Sequence, residues 1–147
     1  MTNFSSRCAK IDDVEAIHLF GVSIPELKVS NLTEFMSYDE VYRMVTDPYG
    51  EIFIAESDDQ IVGFCYGSLD RTDIFNLKAC LIYMAVIESF RQQGIASRLY
   101  ESVVDNLKRR GAKYLYAWAN PLSGVSNFFI KKGLKAGESR IWFDQIL

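Results

Sequence analysis

Residues 84–99 read Met84-Ala85-Val86-Ile87-Glu88-Ser89-Phe90-Arg91-Gln92-Gln93-Gly94-Ile95-Ala96-Ser97-Arg98-Leu99. The first part completes an almost wholly apolar run that begins at Ala79, which predicts a strand over 79–87 that is buried on both faces. From Gly94 onward, apolar residues recur every four positions as far as Leu107, and this period predicts a long helix that ends at Gly111. The chain therefore passes from a central strand through a short turn directly into a helix.

The turn between this strand and this helix suits a diphosphate. The backbone N–H groups of 92–96 lie at a helix N-terminus, where they lack helical acceptors and where the helix dipole is positive. Gly94 allows close approach of the backbone, Ala96 is small, and Arg91 and Arg98 are expected to add positive charge. A turn that merely needs a glycine would explain Gly94 equally well. A P-loop requires Gly-Lys-Ser/Thr and a dinucleotide fingerprint requires three glycines, and this segment has neither.

The composition is that of an ordinary soluble globular protein, with 147 residues, 49% hydrophobic and 24% charged. This length predicts a single domain over 1–147. A net charge of −3 gives no general attraction for nucleic acid, and no apolar run reaches the roughly 20 residues of a membrane span. The three cysteines have no metal-ligand spacing and no export signal precedes them, so we expect a cytoplasmic protein with free thiols and no metal.

The remaining elements alternate between helical and strand periods, in the order β-α-α-β-β-β-α-β-α-β. The first helix is expected over 11–20, closed by Gly21. A second helical stretch is expected to open after Asn31, with a restart at a capping box formed by Ser37 and Glu40. A hairpin of two strands follows, with Val62, Phe64 and Tyr66 expected on one side of the second strand. The later elements are a strand over 114–119, a helix over 123–132 and a strand over 139–145. The fold class is mixed α/β.

With these motifs the chain resembles the GNAT acyltransferase superfamily, whose members bind acetyl-CoA through Arg/Gln-x-x-Gly-x-Gly/Ala. Residues 91–96 match that motif at every specified position, and Val86 lies five residues before it, where the family has its valine. Residues 129–134 resemble the family's Tyr-x-Lys-x-Gly-Phe, and the order of elements matches over nearly the whole chain. The resemblance implies a mostly antiparallel central sheet, flanked by helices and splayed at the acyl-CoA site.

The resemblance also implies where acetyl-CoA lies. In the family the strand before the motif carries a bulge, and the pantetheine arm pairs with its backbone as an added strand would. The Val86 N–H is then the candidate donor to the thioester carbonyl, where negative charge develops. The implied binding residues are Met84, Ala85, Val86, Arg91, Gln92, Gln93, Gly94, Ile95, Ala96, Ser97, Asn120 and Phe129.

Three departures from the family concern the residues expected at the reacting centre. Many members protonate the thiolate with a tyrosine, and the aligned residue here is Phe129. Many also have an asparagine seven residues earlier, which is Leu122 here, with Asn120 nearby. No glutamate base stands on the central or following strand. Two alternatives remain. In one, positioning and water carry the reaction. In the other, the acid and base come from Tyr66, Tyr83, Tyr116, Asp70 or Asp73, with Tyr83 preferred because it immediately precedes the expected pantetheine segment.

The leading interpretation is an acetyl-CoA-dependent N-acetyltransferase that moves the acetyl group directly to a primary amine. The alternatives are a non-catalytic acyl-CoA-binding sensor or interaction module, and an unrelated nucleotide-binding domain. Polyamines, amino acids, aminoglycosides and peptide N-termini all remain open as acceptors, and neither nucleic acid nor membrane is expected as a partner. The last expected strand carries Arg140-Ile141-Trp142-Phe143 near a sheet edge, which favours a homodimer.

Overall fold

The computed structural model describes residues 3–33, 35–72, 75, 77–121 and 123–147. Within them, a five-stranded sheet has its strands in chain order, β1 to β5, with α1 and α2 packed on one face and α3 and α4 on the other. Strands β1 to β4 are antiparallel, and β5 joins β4 in parallel after a crossover through α3. The expected mixed, mostly antiparallel fold is confirmed. The strands are β1 Ser5–Cys8, β2 Gly50–Ser57, β3 Gln60–Leu69, β4 Lys78–Val86 and β5 Tyr114–Ala117, and the helices are α1 Val14–Ser23, α2 Tyr38–Thr46, α3 Ile95–Arg109 and α4 Gly124–Lys131.

Each face of the sheet has its own apolar core. On the face of α1 and α2, Phe64 of β3 is fully buried, and its ring meets Phe20 and Phe35 edge-on at centroid distances of 6.0 and 6.2 Å. On the opposite face, the residues that repeat every four positions along α3, among them Leu99 and Leu107, are buried against β3 and β4. The helical period read from the sequence therefore marks the face of α3 that packs on the sheet.

The capping box at the start of α2 and the end of α3 are as the sequence predicts, whereas the helical stretch expected after Asn31 is wrong, because the described residues between Asn31 and Ser37 form no helix. Ser37 N–H donates to the Glu40 carboxylate at 2.7 Å, and Glu40 N–H donates to the Ser37 hydroxyl at 3.3 Å, which forms the capping box. Gly111 follows α3 with φ at +101°, a conformation that glycine adopts without a steric penalty.

The expectation for the first helix is wrong at both ends. A 3-10 turn occupies Ile11–Asp13, α1 starts at Val14, and the helix continues through Gly21 to Ser23. Gly21 lies inside the helix, where the ring of Phe35 packs directly on its backbone. A Cβ at this position would collide with that ring, so the contact requires a glycine.

A bulge in β3 overturns the expectation that Val62, Phe64 and Tyr66 share one side. Ala55 pairs with Gly63 and the next pair is Glu56 with Ile61, so Val62 is an extra residue in the ladder. Val62 consequently packs in the α3 core, while Phe64 and Tyr66 pack in the core of α1 and α2.

The strand expected over 139–145 is also wrong, because 132–147 contain neither helix nor strand. Ile141, Trp142 and Phe143 are 80%, 62% and 87% exposed, and three consecutive apolar residues lack the alternation of a strand that buries one face. The segment reaches the α1–α2 loop, where the Ser30 hydroxyl donates to Asp144 at 2.5 Å. Among the described residues, no helix is long and apolar enough to cross a bilayer.

Candidate functional site

A gap opens in the sheet between β4 and β5. The two strands pair from Lys78 opposite Tyr114 to Leu81 opposite Ala117, where β5 ends, whereas β4 continues to Val86. The pairing of β4 with β3 shifts where the strands diverge, which leaves Ile82 as an extra residue. This bulge turns Leu81 and the following tyrosine toward opposite faces. The bulge and the splay implied by the resemblance are therefore present in this chain.

The hydrogen bonds of β4 determine which backbone groups face the gap. Ile87 N–H donates to the Val62 carbonyl at 2.9 Å. Because alternate residues face the partner in an antiparallel ladder, Ala85 also points its backbone groups at β3, while Met84 and Val86 point theirs at the gap. Of the three residues expected to pair with a pantetheine arm, only Met84 and Val86 thus offer their backbones to it.

A cavity of about 550 Å³ fills the gap and continues to the turn before α3. Gln93, one of the expected binding residues, is absent from its lining, and its side-chain amide instead donates to the Ser89 carbonyl at 3.3 Å. The structure brings the other expected residues together around this single space: Tyr83, Met84, Ala85, Val86, Arg91, Gln92, Gly94, Ile95, Ala96, Ser97, Asn120 and Phe129.

The turn before α3 presents a set of backbone donors to this cavity. Arg98 N–H makes the first helical bond, to the Gly94 carbonyl at 3.0 Å. The N–H groups of 95–97 therefore have no acceptor within the helix. Gln92 and Gly94 have positive φ, at +61° and +84°, whereas Gln93 between them does not. This alternation of the sign of φ turns successive backbone N–H groups toward one side, where they form an anion-binding concavity. A Cβ built on Gly94 meets no atom within 4 Å, so this position opens onto free space.

Arg91 does not extend over this turn, contrary to the expectation. Its Nε donates to the Val86 carbonyl at 2.9 Å, and its Nη2 lies 2.8 Å from Oε1 of Glu26. The Val86 carbonyl is thereby occupied, which leaves the Val86 N–H as the group directed into the gap. Arg98 is exposed and does not line the cavity.

Glu26 carries no motif, and sequence reasoning missed it. It lies in a 3-10 turn, Pro25–Leu27, that follows α1 and forms part of the cavity wall. A hydrogen bond from its own backbone N–H lowers the pKa of its carboxyl group, and Arg91 lowers this pKa further. The carboxylate therefore stays ionised at neutral pH, and its charge balances that of the guanidinium.

Phe129, on α4, belongs to both the core and the cavity wall. It is 8% exposed, packs against Phe128 at a ring-centroid distance of 6.0 Å and lines the cavity. A phenylalanine therefore stands where the family's tyrosine is expected. Leu122 and Asp73 lie outside the described residues.

Tyr83 is the one candidate acid or base, among those the structure describes, that lines the main cavity. Its ring contacts Phe35 edge-on at 5.3 Å, and burial raises the pKa of its hydroxyl, with a contribution from the charge of Glu40. A tyrosine with a raised pKa keeps its proton at neutral pH, so it can serve as an acid and not as a base.

The other candidates are engaged elsewhere. The Tyr66 hydroxyl donates to Asp47 at 3.4 Å, beside a separate cavity of about 490 Å³. The Tyr116 hydroxyl donates to Asp70 at 3.3 Å. Burial raises the pKa of both tyrosines to about 12. The structure therefore leaves Tyr83 as the candidate with access to the gap.

A splayed, mostly antiparallel sheet with a donor-rich turn at the splay is the arrangement that the resemblance to the GNAT superfamily implies. The model of the acetyltransferase (GNAT) family matches residues 18–132, and the chain belongs to this family. It is accordingly an acetyl-CoA-dependent acyltransferase.

Solved structures of the same fold include three N-acetyltransferases. An aminoglycoside acetyltransferase from an uncultured soil metagenomic sample, in complex with sisomicin, is 16% identical with a TM-score of 0.71 over 98% of this chain and 96% of that one. Aminoglycoside N-acetyltransferase AAC(6')-Iy in complex with CoA is 18% identical, with a TM-score of 0.71 over 97% and 100%. Ribosomal-protein-alanine N-acetyltransferase from Brucella melitensis biovar Abortus 2308 is 14% identical, with a TM-score of 0.74 over 97% and 99%. No curated protein sequence matches the chain significantly.

Proposed function

We propose that this protein transfers the acetyl group of acetyl-CoA directly to a primary amine. The observation that carries the proposal is the gap between β4 and β5, where Met84 and Val86 direct backbone groups into a cavity that also reaches the turn before α3. An extended pantetheine arm fits such a gap because its amides can pair with a strand edge. The diphosphate then lies at the N–H groups of 92–96.

In this arrangement the Val86 N–H donates to the thioester carbonyl. The amine nitrogen attacks the carbonyl carbon, a C–N bond forms, and the carbonyl oxygen takes the negative charge that the Val86 N–H stabilises. The C–S bond then breaks, the thiolate leaves, and the nitrogen loses a proton to water. Tyr83 is the proposed donor of a proton to the thiolate, in keeping with its raised pKa and its place on the cavity wall.

The acceptor amine is proposed to enter from the face of α1 and α2, since the ring of Tyr83 packs on that side of the sheet. The comparison structures include an enzyme complexed with sisomicin and a ribosomal-protein-alanine N-acetyltransferase, which supports an amine acceptor. The second candidate function is an acyl-CoA-binding module without catalysis. The observation that favours it is Phe129 at the position of the family's tyrosine.

Thermal shift and turnover test the proposal together. Acetyl-CoA should raise the melting temperature, whereas ATP and NAD at the same concentration should not. Incubation with acetyl-CoA and a panel of polyamines, amino acids, aminoglycosides and peptides should release free CoA thiol and an N-acetylated product. Stabilisation by acetyl-CoA without turnover on any amine would support the binding module instead. A stronger response to ATP or NAD would contradict the placement of acetyl-CoA in this cavity.

Phe129→Tyr should keep the affinity for acetyl-CoA within about threefold and preserve or raise kcat. A positioned general acid contributes about 10²–10⁴-fold, which bounds the gain. The matched control is Phe20→Tyr, because Phe20 on α1 is equally buried, 8% exposed, and lies outside the cavity. Calorimetry, steady-state kinetics and thermal unfolding measure the three effects. A hydroxyl buried without a partner costs about 1–3 kcal/mol, so a clear loss of stability together with weaker CoA binding would contradict the placement of Phe129 at the thioester.

A homodimer is the proposed assembly. The exposed apolar residues Ile141, Trp142 and Phe143 form a surface of the kind that tends to be covered by a partner. Light scattering at micromolar concentration should give twice the chain mass of 16.8 kDa. Phe143→Glu should shift the protein toward the monomer, whereas Phe75→Glu, at another exposed phenylalanine, should not. A monomeric unmodified protein would contradict the proposal.

A further inference from the structure

We infer that Glu26 is a positioning residue of the reaction: acting through Arg91, it holds in place the Val86 peptide that faces the gap. This inference rests on the proposed function, because it concerns the strand edge at which the thioester is proposed to react. It assigns a role to a residue of the α1–α2 loop, far in sequence from the acetyl-CoA motif.

Three parts of the fold meet at this point. Glu26 belongs to the 3-10 turn after α1, which is closed by bonds from Leu27 N–H to the Ile24 carbonyl and from Lys28 N–H to the Pro25 carbonyl, each 3.1 Å long. Arg91 follows the 3-10 turn Glu88–Phe90 and precedes α3. Val86 is the last residue of β4.

The Val86 carbonyl faces the gap, where β5 no longer offers it a partner, and the Arg91 Nε–H supplies one at 2.9 Å. An arginine side chain has many rotamers, so this bond alone holds the guanidinium poorly. Glu26 binds the Nη2 group at 2.8 Å, and two contacts on a planar guanidinium fix its orientation. Fixing the Val86 carbonyl fixes the plane of the following peptide and the end of the strand that carries the Val86 N–H.

The role of this ion pair is geometric rather than stabilising. The side chains of Arg91 and Glu26 are 41% and 44% exposed, and ion pairs at such exposure add little to folding stability. The Glu26 carboxylate also neutralises a cation beside the proposed diphosphate site. Its removal should therefore leave CoA binding as tight as before, or make it tighter, while the reacting peptide loses its alignment.

Glu26→Gln is expected to lower kcat by roughly tenfold, because misplacement by a fraction of an ångström is costly at a reacting centre. The Kd for CoA should stay the same or fall, since the positive charge of Arg91 remains and Glu26 no longer balances it. The matched control is Glu51→Gln. It makes the same change in a glutamate that pairs with Arg110 at 2.9 Å, at the opposite end of α3, and it should leave kcat within about twofold.

A double-mutant cycle with Arg91→Gln tests whether Glu26 acts through Arg91. If it does, Glu26→Gln should lower kcat no further when Arg91 is already replaced, because coupled residues are non-additive. Multiplicative losses in the double variant, or an unchanged kcat in Glu26→Gln alone, would overturn the inference.

Hydrogen exchange of the ligand-free protein gives a readout independent of turnover. Glu26→Gln should speed amide exchange in segment 87–91. Three amides of this segment donate to backbone carbonyls: Ile87 to Val62, Phe90 to Ile87, and Arg91 to Glu88. Glu51→Gln should not. Equal exchange in the variant and the unmodified protein would overturn the positioning role. If the unmodified protein acetylates no amine, the proposed function fails, and this exchange measurement alone decides the role of Glu26.

Discussion

An α-hydroxy acid in place of Val86, with the same side chain, should lower kcat by about 10²–10³-fold, the cost of removing one donor to a developing oxyanion. The substitution turns the Val86 N–H into an ester oxygen and keeps every side chain, and the Ala85 carbonyl becomes an ester carbonyl, which is a weaker acceptor. The Val86 N–H faces the gap and not β3, so the sheet loses no ladder donor. Only the bond that the Ala85 carbonyl accepts from β3 is weakened, so the melting temperature should fall only slightly. Steady-state kinetics at saturating acetyl-CoA measures the loss.

The matched control is the α-hydroxy analogue of alanine at position 85. The Ala85 N–H faces β3 in the ladder, so its removal should cost about 1 kcal/mol of unfolding free energy. Urea unfolding would show this loss for the Ala85 ester and a smaller loss for the Val86 ester. A kcat within about threefold of the unmodified value for the Val86 ester would mean that the thioester carbonyl is polarised by another group.

Gly94→Asp should weaken CoA binding by at least a hundredfold in total, or about 2.7 kcal/mol. The position opens onto the cavity with no atom within 4 Å of a built Cβ, so the side chain would occupy the space proposed for the diphosphate. A carboxylate there would also repel the phosphates.

Gly94→Asn separates size from charge. Asparagine has the same shape as aspartate, and both tolerate the positive φ of +84° better than other side chains do. Calorimetry should show CoA affinity about tenfold weaker for the asparagine variant and at least tenfold weaker again for the aspartate variant. Two variants that bind CoA like the unmodified protein would remove this turn from the binding site.

The order of elements as far as α4, and the segments that line the cavity, were predictable from the sequence because strong local signals carry them. The apolar run of β4, the four-residue period of α3 and the positive-φ glycines 94 and 111 each act over a few residues. The capping box at Ser37 is likewise a contact between near neighbours. Such signals can be read from a single sequence because each one depends only on residues that are close together in the chain.

The rest depended on partners distant in the chain. The extra residues Val62 and Ile82 are bulges only because of how β2 and β3 pair with them, and their side chains alone carry no such information. A glycine at position 21 is typical of a helix end, and only the contact with the ring of Phe35 explains why it lies inside α1. The role inferred for Glu26 depends on its ion pair with Arg91, which lies 65 positions later in the chain.

The break in pairing between β4 and β5 also bears on the order of folding. Strands β2, β3 and β4 pair with their neighbours in the chain, so their contacts close short loops, whereas β5 must wait for the α3 crossover and then pairs over only four positions. One wall of the cleft therefore belongs to an early, local unit and the other to a late one that is weakly joined to it. A pantetheine arm bound between β4 and β5 would replace the strand pairing that is missing there. Acetyl-CoA would then join the two units into one that unfolds cooperatively.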